Sequence, residues 1–343
     1  MYANFSNFLG YNAGTQAGAA SNSNFFGFQA GQLAYSASNS NFFGNSAGGF
    51  ANRAAFSNFF GTLAGYAAAE AIGSNFFGDS AGYYATKATG SNFLGTAAGN
   101  VATNAAYSNF LGYSAGDSAT NAPYSNFLGQ YAGFQATNAS YSNFIGQYAG
   151  GNAISAVGSN FIGASAGYNA TYADNSNFFG AYAGYYAENA NNSTLIGYNV
   201  ASTYGVGNVG IGTNNIIIGT NITLVDNQVD SINLGGIIFA TGSYGNVNTA
   251  PYSGSMLGTG KVGINVPIPQ ATLDISGSLL ARDGVSIGTN LTNNHIVTGS
   301  VNITGSLTVN GSTVGTSPYS VYTALLNFDG STVTAKKIGR AHV

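Results

Sequence analysis

Chemistry at a protein site needs titratable or metal-ligating groups that converge, and this sequence offers few. The carboxylates in its first part are Glu70, Asp79, Asp117, Asp174 and Glu188. Counted from the glycine of a motif described below, they fall at positions nine, one, five, eleven and eight. No two share a position, so they build no carboxylate ladder and read as scattered surface charge. Asp226 and Asp230 flank Asn227-Gln228 and are the one close pair that could cleave a glycosidic bond. Asp274 stands in a Leu-Asp-Ile-Ser-Gly string, where an edge-strand or turn hydrogen bond is the simpler role. The histidines are His295 and His342, and there is no cysteine. That excludes a Cys-zinc site, a disulfide scaffold and a thiol enzyme. The calcium-roll motif is absent, and no glycine cluster is followed by the lysine of a phosphate loop. The expectation is a non-enzyme with no catalytic residue, cofactor or metal.

The aromatics offer binding chemistry instead. Tyr107, Tyr124 and Tyr141 recur at one motif position, shared by Phe56. Tyr66, Tyr83, Tyr168 and Tyr185 recur at another, with Phe134. Exposed tyrosine ladders stack on sugar rings and make good contact residues. The competing role is filling of a corner or a subunit seam. Thr86, Thr103, Thr120 and Thr137 form a third run, as in ice-binding solenoids, but the run turns to Ile154 and is single rather than paired.

Composition narrows the class. Of 343 residues 51 are Gly, and charged residues are 5%, against about 25% in ordinary proteins. Hydrophobic residues are still 45%, so the chain is not of the disordered type. A net charge of −3 gives no basic footprint for nucleic acid.

What positions the aromatics is a repeat. Ser-Asn-Phe-[Phe/Leu/Ile]-Gly recurs every 17 residues, with its glycine at Gly10, Gly27, Gly44, Gly61, Gly78, Gly95, Gly112, Gly129, Gly146, Gly163 and Gly180 and a variant at Gly197. Ala follows at position three, Gly at four, and Ala again at seven and ten. The unit is too short for helix-pair repeats, and Gly interrupts any helix every few residues. It predicts a parallel β-solenoid, one coil per repeat and about 11–12 coils, with identical residues stacked about 4.8 Å apart. The absence of insertions is expected, since an extra residue would offset every later rank.

Phe8, Phe25, Phe42, Phe59, Phe76, Phe93, Phe110, Phe127, Phe144, Phe161 and Phe178 form one rank, followed by Leu195. The next residue is always Phe, Leu or Ile. Strand neighbours point to opposite faces, so one rank fills the lumen and the other is an exposed apolar rank. That predicts a homo-oligomer. The Ser-Asn pair is expected to bond nearby backbone in a turn.

The unit resembles the head repeats of trimeric autotransporter adhesins, which form a left-handed parallel β-roll. The shared pattern is Ser, two apolar residues and Gly, then small-residue turns; this coil is longer and carries Phe. It is also similar to repeats of phage and environmental-virus tail fibres, in the form Ser125-Asn126-Phe127-Leu128-Gly129-Gln130-Tyr131-Ala132-Gly133-Phe134. Both resemblances imply a homotrimer, and they imply a location on a virion tail or a cell surface.

The chain divides into residues 1–200, the β-roll; 201–260, irregular β-coils and a junction; 261–337, a fibre-shaft segment; and 338–343. The second part keeps apolar strings closed by Gly, such as Ile216-Ile217-Ile218-Gly219 and Ile232-Asn233-Leu234-Gly235. The third holds Lys261-Val262-Gly263-Ile264-Asn265 and Ala271-Thr272-Leu273-Asp274-Ile275-Ser276-Gly277, similar to a segment of phage fibres and bacterial surface proteins. It also holds Gly-Ser pairs six apart at Gly299, Gly305 and Gly311. Ala3 sits in mid-repeat, so residues are expected upstream. Ile338-Gly339-Arg340-Ala341-His342-Val343 matches one frame of a sequencing-library adapter, as expected of a metagenomic fragment. No secretory signal or apolar span is visible. The expected function is a structural attachment fibre, a phage tail fibre presenting a surface to a host glycan or protein receptor. A bacterial trimeric surface adhesin is the alternative and an ice-binding solenoid the third reading.

Overall fold

In the repeats the tripeptide Asn-Phe-[Phe/Leu/Ile], Thr-Leu-Ile in the last, is extended, as residues that favour strand allow. In the computed structural model, residues 5–202, 210–242 and 260–279 are described, with the backbone of two further strands. The repeats supply β1 (Asn7–Leu9), β2 (Asn24–Phe26), β3 (Asn41–Phe43), β4 (Asn58–Phe60), β5 (Asn75–Phe77), β6 (Asn92–Leu94), β7 (Asn109–Leu111), β8 (Asn126–Leu128), β9 (Asn143–Ile145), β10 (Asn160–Ile162), β11 (Asn177–Phe179) and β12 (Thr194–Ile196). Each pairs in parallel with the next, and like residues face each other: Asn7 with Asn24, Phe8 with Phe25. A second rank of parallel bridges runs at position eight, from Gly18–Tyr35 to Glu188–Gly210. The expected parallel β-solenoid is thus present, and no helix occurs among the described residues.

The coil closes through backbone geometry that the sequence did not announce. Positions two, six, nine and twelve all have positive φ; in one coil these are Ser114, Ser118, Asn121 and Tyr124, at 50–59°. Each donates its N–H to the preceding coil, to Thr96, Asn100, Thr103 and Ala106. Gly116, Thr120 and Asn126 donate to the following coil instead. Left-handed residues thus alternate the direction of the N–H groups, which pairs a thin coil with both neighbours. Two glycines are indispensable. Gly112 has φ of 137°, and a Cβ there would run into the backbone of Gly129. Gly116, at 63°, lies flat on the Phe110 ring, with no room for a Cβ.

The lumen is a file of phenylalanines flanked by alanines. Phe25 through Phe178 are wholly buried, with successive rings mostly parallel at 4.5–5.1 Å, as from Phe161 to Phe178 and Phe25 to Phe42. Phe8, on the first described coil, is 40% exposed, because only Phe25 stacks on it. The buried serines, Ser23 through Ser193, tie coil to coil. Ser108 Oγ donates to Ala122 O of the next coil at 2.7 Å and accepts from Ser125 N at 3.1 Å. It also donates within its own turn to Ala106 O at 3.2 Å.

The stack continues past the regular repeats to about 13 coils. β13 (Ile216–Ile218) lies on β12, and β14 (Ser231–Leu234) lies on β13, both parallel. The intervals are 22 and 16 residues (Thr194 to Ile216, Ile216 to Ile232), yet the ranks hold. The expectation that an extra residue offsets later ranks is therefore corrected: the strands stay in register although the interval between them changes. Asn215 takes the place of the buried serine. Its Nδ2 reaches Ile211 O and Gln228 O at 2.9 and 2.7 Å, and its Oδ1 accepts from Ser231 N at 3.0 Å. β15 (Ile238–Thr241) then returns antiparallel to β14 through Gly235-Gly236 and ends the parallel stack. β16 (Lys261–Ile264) pairs antiparallel with β15, and β17 (Leu273–Ile275) parallel with β16. Asp274 Oδ2 accepts from Gln270 N at 2.9 Å, a turn bond as expected. In a separate unit, β18 (Leu307–Val309) and β19 (Ser312–Val314) pair antiparallel. His295, most of the Gly-Ser segment, Met1, Ala3 and residues 338–343 lie outside the described residues.

Candidate functional site

Two features of the outer surface can make contacts, and both follow from stacked ranks. The first is the face opposite the phenylalanine file. Asn and [Phe/Leu/Ile] flank the inward Phe by one residue each, so both point outward. The branched and aromatic rank stays half-exposed: Phe77 is 39%, Leu94 38%, Ile145 38% and Ile196 37% accessible. Phe26, Phe43, Phe60 and Phe77 stack at 4.8–4.9 Å. Beside them the asparagines bond to one another rather than to backbone, which corrects the turn role expected for them. Asn7 Nδ2 donates to Asn24 Oδ1 at 2.7 Å, and the chain of amides continues without a break to Asn177. Between the two ranks runs a shallow trough of about 700 Å³ from Asn75 to Ile145. Identical asparagines beside an apolar rank of Phe, Leu and Ile run in register over roughly 50 Å, at about 4.8 Å per coil.

The second feature is the tyrosines. Tyr107, Tyr124 and Tyr141 are exposed and stacked, with rings 5.2 and 5.0 Å apart. Tyr66 and Tyr83 stack at 5.5 Å, and Tyr168 and Tyr185 at 5.3 Å; these four are half-buried. None fills the lumen, which belongs to Phe and Ala. Both patterns begin over a glycine one coil earlier, the Tyr107 ring over Gly90 and the Tyr168 ring over Gly151. The ring covers backbone that the glycine leaves bare. The reading of ranks missed Tyr131, Tyr148 and Tyr182 at position two, and Tyr113 and Tyr198 at position one. A tight turn brings these beside position five: Tyr182 lies edge-on to Tyr185 at 5.6 Å. The result is one connected belt of rings from Tyr113 to Tyr198. Its signal in sequence was that every coil from Gly112 to Gly197 carries an aromatic at position one, two or five.

Charge is sparse around these features. Burial pushes the Asp117 carboxyl above the usual carboxylate range, partly offset by hydrogen bonds from Ser118 Oγ and Asn100 Nδ2. Burial also raises the Tyr83 hydroxyl, with the neighbouring Tyr84 adding to it. The Tyr131 hydroxyl is raised first by its hydrogen bond with Tyr113 and then by burial. Arg53 and Glu70 form an exposed cross-coil pair at 3.3 Å, of small energetic weight. Asp226 is exposed, and Asp230 Oδ1 accepts from Asn214 at 3.0 Å. Neither lines a described cavity. The threonine rank is half-buried and single, beside Lys87, Asn104, Asn121 and Asn138. No helix among the described residues is long and apolar enough to cross a membrane.

No protein-family model matches the chain, and no curated protein matches it in sequence.

Proposed function

We propose that this chain is a structural attachment fibre: a rigid solenoid that associates with copies of itself through the Asn/apolar face and presents its remaining surface to a receptor. The observation that carries the reading is the unbroken outward rank of Phe, Leu and Ile beside the amide ladder. A soluble monomer rarely leaves so long an apolar strip in water. Copies of this face gathered on a common symmetry axis would cover the strip, since most assemblies of one chain close around such an axis. Resemblance of the repeat to viral tail fibres and to trimeric adhesin heads supports a homotrimer on a virion tail. A bacterial surface adhesin would use the same assembly.

The native mass of the full chain tests this, by light scattering on a size-exclusion column. The expected result is a multiple of the 34.7 kDa chain, three-fold for a trimer. Leu94→Lys with Leu111→Lys and Leu128→Lys should give folded monomer, since these side chains point outward and leave the phenylalanine file intact. A wild-type chain that remains monomeric at high concentration would overturn the reading.

A further inference from the structure

The tyrosine belt encloses a groove between the coils of Gly146 and Gly219. It holds about 790 Å³ and is walled by Tyr148, Tyr168, Tyr182, Tyr185 and Tyr198, with amides and hydroxyls such as Asn199 and Ser165 on its lining. The rings meet at different angles. Tyr168 and Tyr185 lie nearly parallel, while Tyr182 stands edge-on to Tyr185 and to Tyr198 at 5.6 and 6.0 Å. Flat ring surfaces are therefore offered in more than one direction around the same space. Among the described residues, no Asp, Glu, Lys or Arg lines the groove.

We propose that this groove binds an uncharged oligosaccharide. Sugar rings have an apolar C–H face that stacks on tyrosine and a hydroxyl edge that bonds amides and hydroxyls, and the lining supplies both. The lack of cations disfavours phosphorylated, sulfated or nucleic-acid ligands, which need Lys or Arg to neutralise them. A purely apolar occupant would strand the amides. The inference rests on the attachment reading and gives its receptor a chemical class. The groove residues are not those of the Asn/apolar face, so the two can fail separately.

The test uses the full chain on an array carrying neutral, sulfated and sialylated glycans, followed by titration of the best neutral oligosaccharide. The chain has 23 Tyr and no Trp, so tyrosine emission reports directly on ring stacking. Tyr182→Asn and Tyr198→Ala are the variants, because the same ranks already hold Asn199 and Ala181 in a folded coil. Tyr182→Asn also keeps a residue that accepts the positive φ of that position, as Asn199 does. The expected result is binding of a neutral glycan with altered tyrosine emission, weakened about ten-fold or more by either variant while native mass and melting temperature are unchanged. Retention of only anionic glycans, retention of none, or binding insensitive to both variants would overturn the proposal. A failed array with an intact oligomer would remove the groove inference alone. A monomeric chain that still binds the neutral glycan would remove the assembly reading alone.

Discussion

Residues 5–200 and residues 210–242 stack the same kind of strand under different constraints. In the first region every coil has the same length, the inward rank is Phe, and an amide ladder runs alongside. From the last coil of the first region into the second, the interval lengthens and then shortens, the inward rank passes from Leu195 to Ile217 to Asn233, and Thr194 and Ile216 replace the ladder asparagines. Strand pairing is nevertheless unbroken across the junction. Register is therefore set by the extended tripeptide and its inward side chain, while coil length is set by the turns. Uniform length serves the outer surface, because the amide ladder and the tyrosine rows require like residues to stack at every turn.

The largest expected difference between the two regions is at glycine. Gly112→Ala drives a methyl into the Gly129 backbone and should abolish cooperative melting of the array. Gly235→Ala also places Ala at positive φ, but nothing lies near the added carbon, so the cost should be about 1 kcal/mol. Comparable losses in a thermal melt would mean that close approach between coils is not what the glycine protects. A one-residue insertion should separate the regions less sharply. Glycine inserted after Thr120 breaks the bonds of Thr120 and Asn121 to neighbouring coils and should lower the melting temperature by several degrees. The same insertion after Ser202, in an interval already long, should cost under about 0.6 kcal/mol. Equal shifts would show that the longer interval is as tightly specified as the array.

The smallest effect expected is electrostatic. Burial raises the Asp117 carboxyl, so the folded chain holds that proton more tightly than the unfolded chain. Stability should fall as pH rises from the ordinary carboxylate value, about 3.9, to the raised one. Asp117→Asn should remove that slope and stabilise the array at neutral pH by less than about 1 kcal/mol, since the side chain is half-exposed and screened. Urea melts at several pH values would show it. A wild-type slope of the opposite sign would mean that the Ser118 and Asn100 bonds outweigh burial.

The period made the solenoid legible, because identical residues every coil leave one way to stack. The inward Phe and outward Leu or Ile followed from strand alternation. The left-handed positions were not legible: no residue type marks them from coil to coil, as Ser114, Tyr131, Ala97 and Leu63 at position two show, and the alternation of N–H directions is what demands their φ. Nor was Asn126 readable as a ladder, since one coil offers it backbone partners and only stacking offers another Asn. The rank of Tyr168 and Tyr185 was visible as a repeat. The groove was not, because Tyr182 and Tyr198 occupy ranks that elsewhere hold Asn12 and Ala164.

The amide ladder has a further consequence. Each Nδ2 points toward the next coil and each Oδ1 toward the previous one, so the dipoles of eleven side chains, joined by ten bonds, add head to tail. Backbone bonds alternate in direction and largely cancel, but this row does not. The outer face thus carries an arrow along the solenoid axis. Two copies laid together can distinguish parallel from antiparallel without a single formal charge.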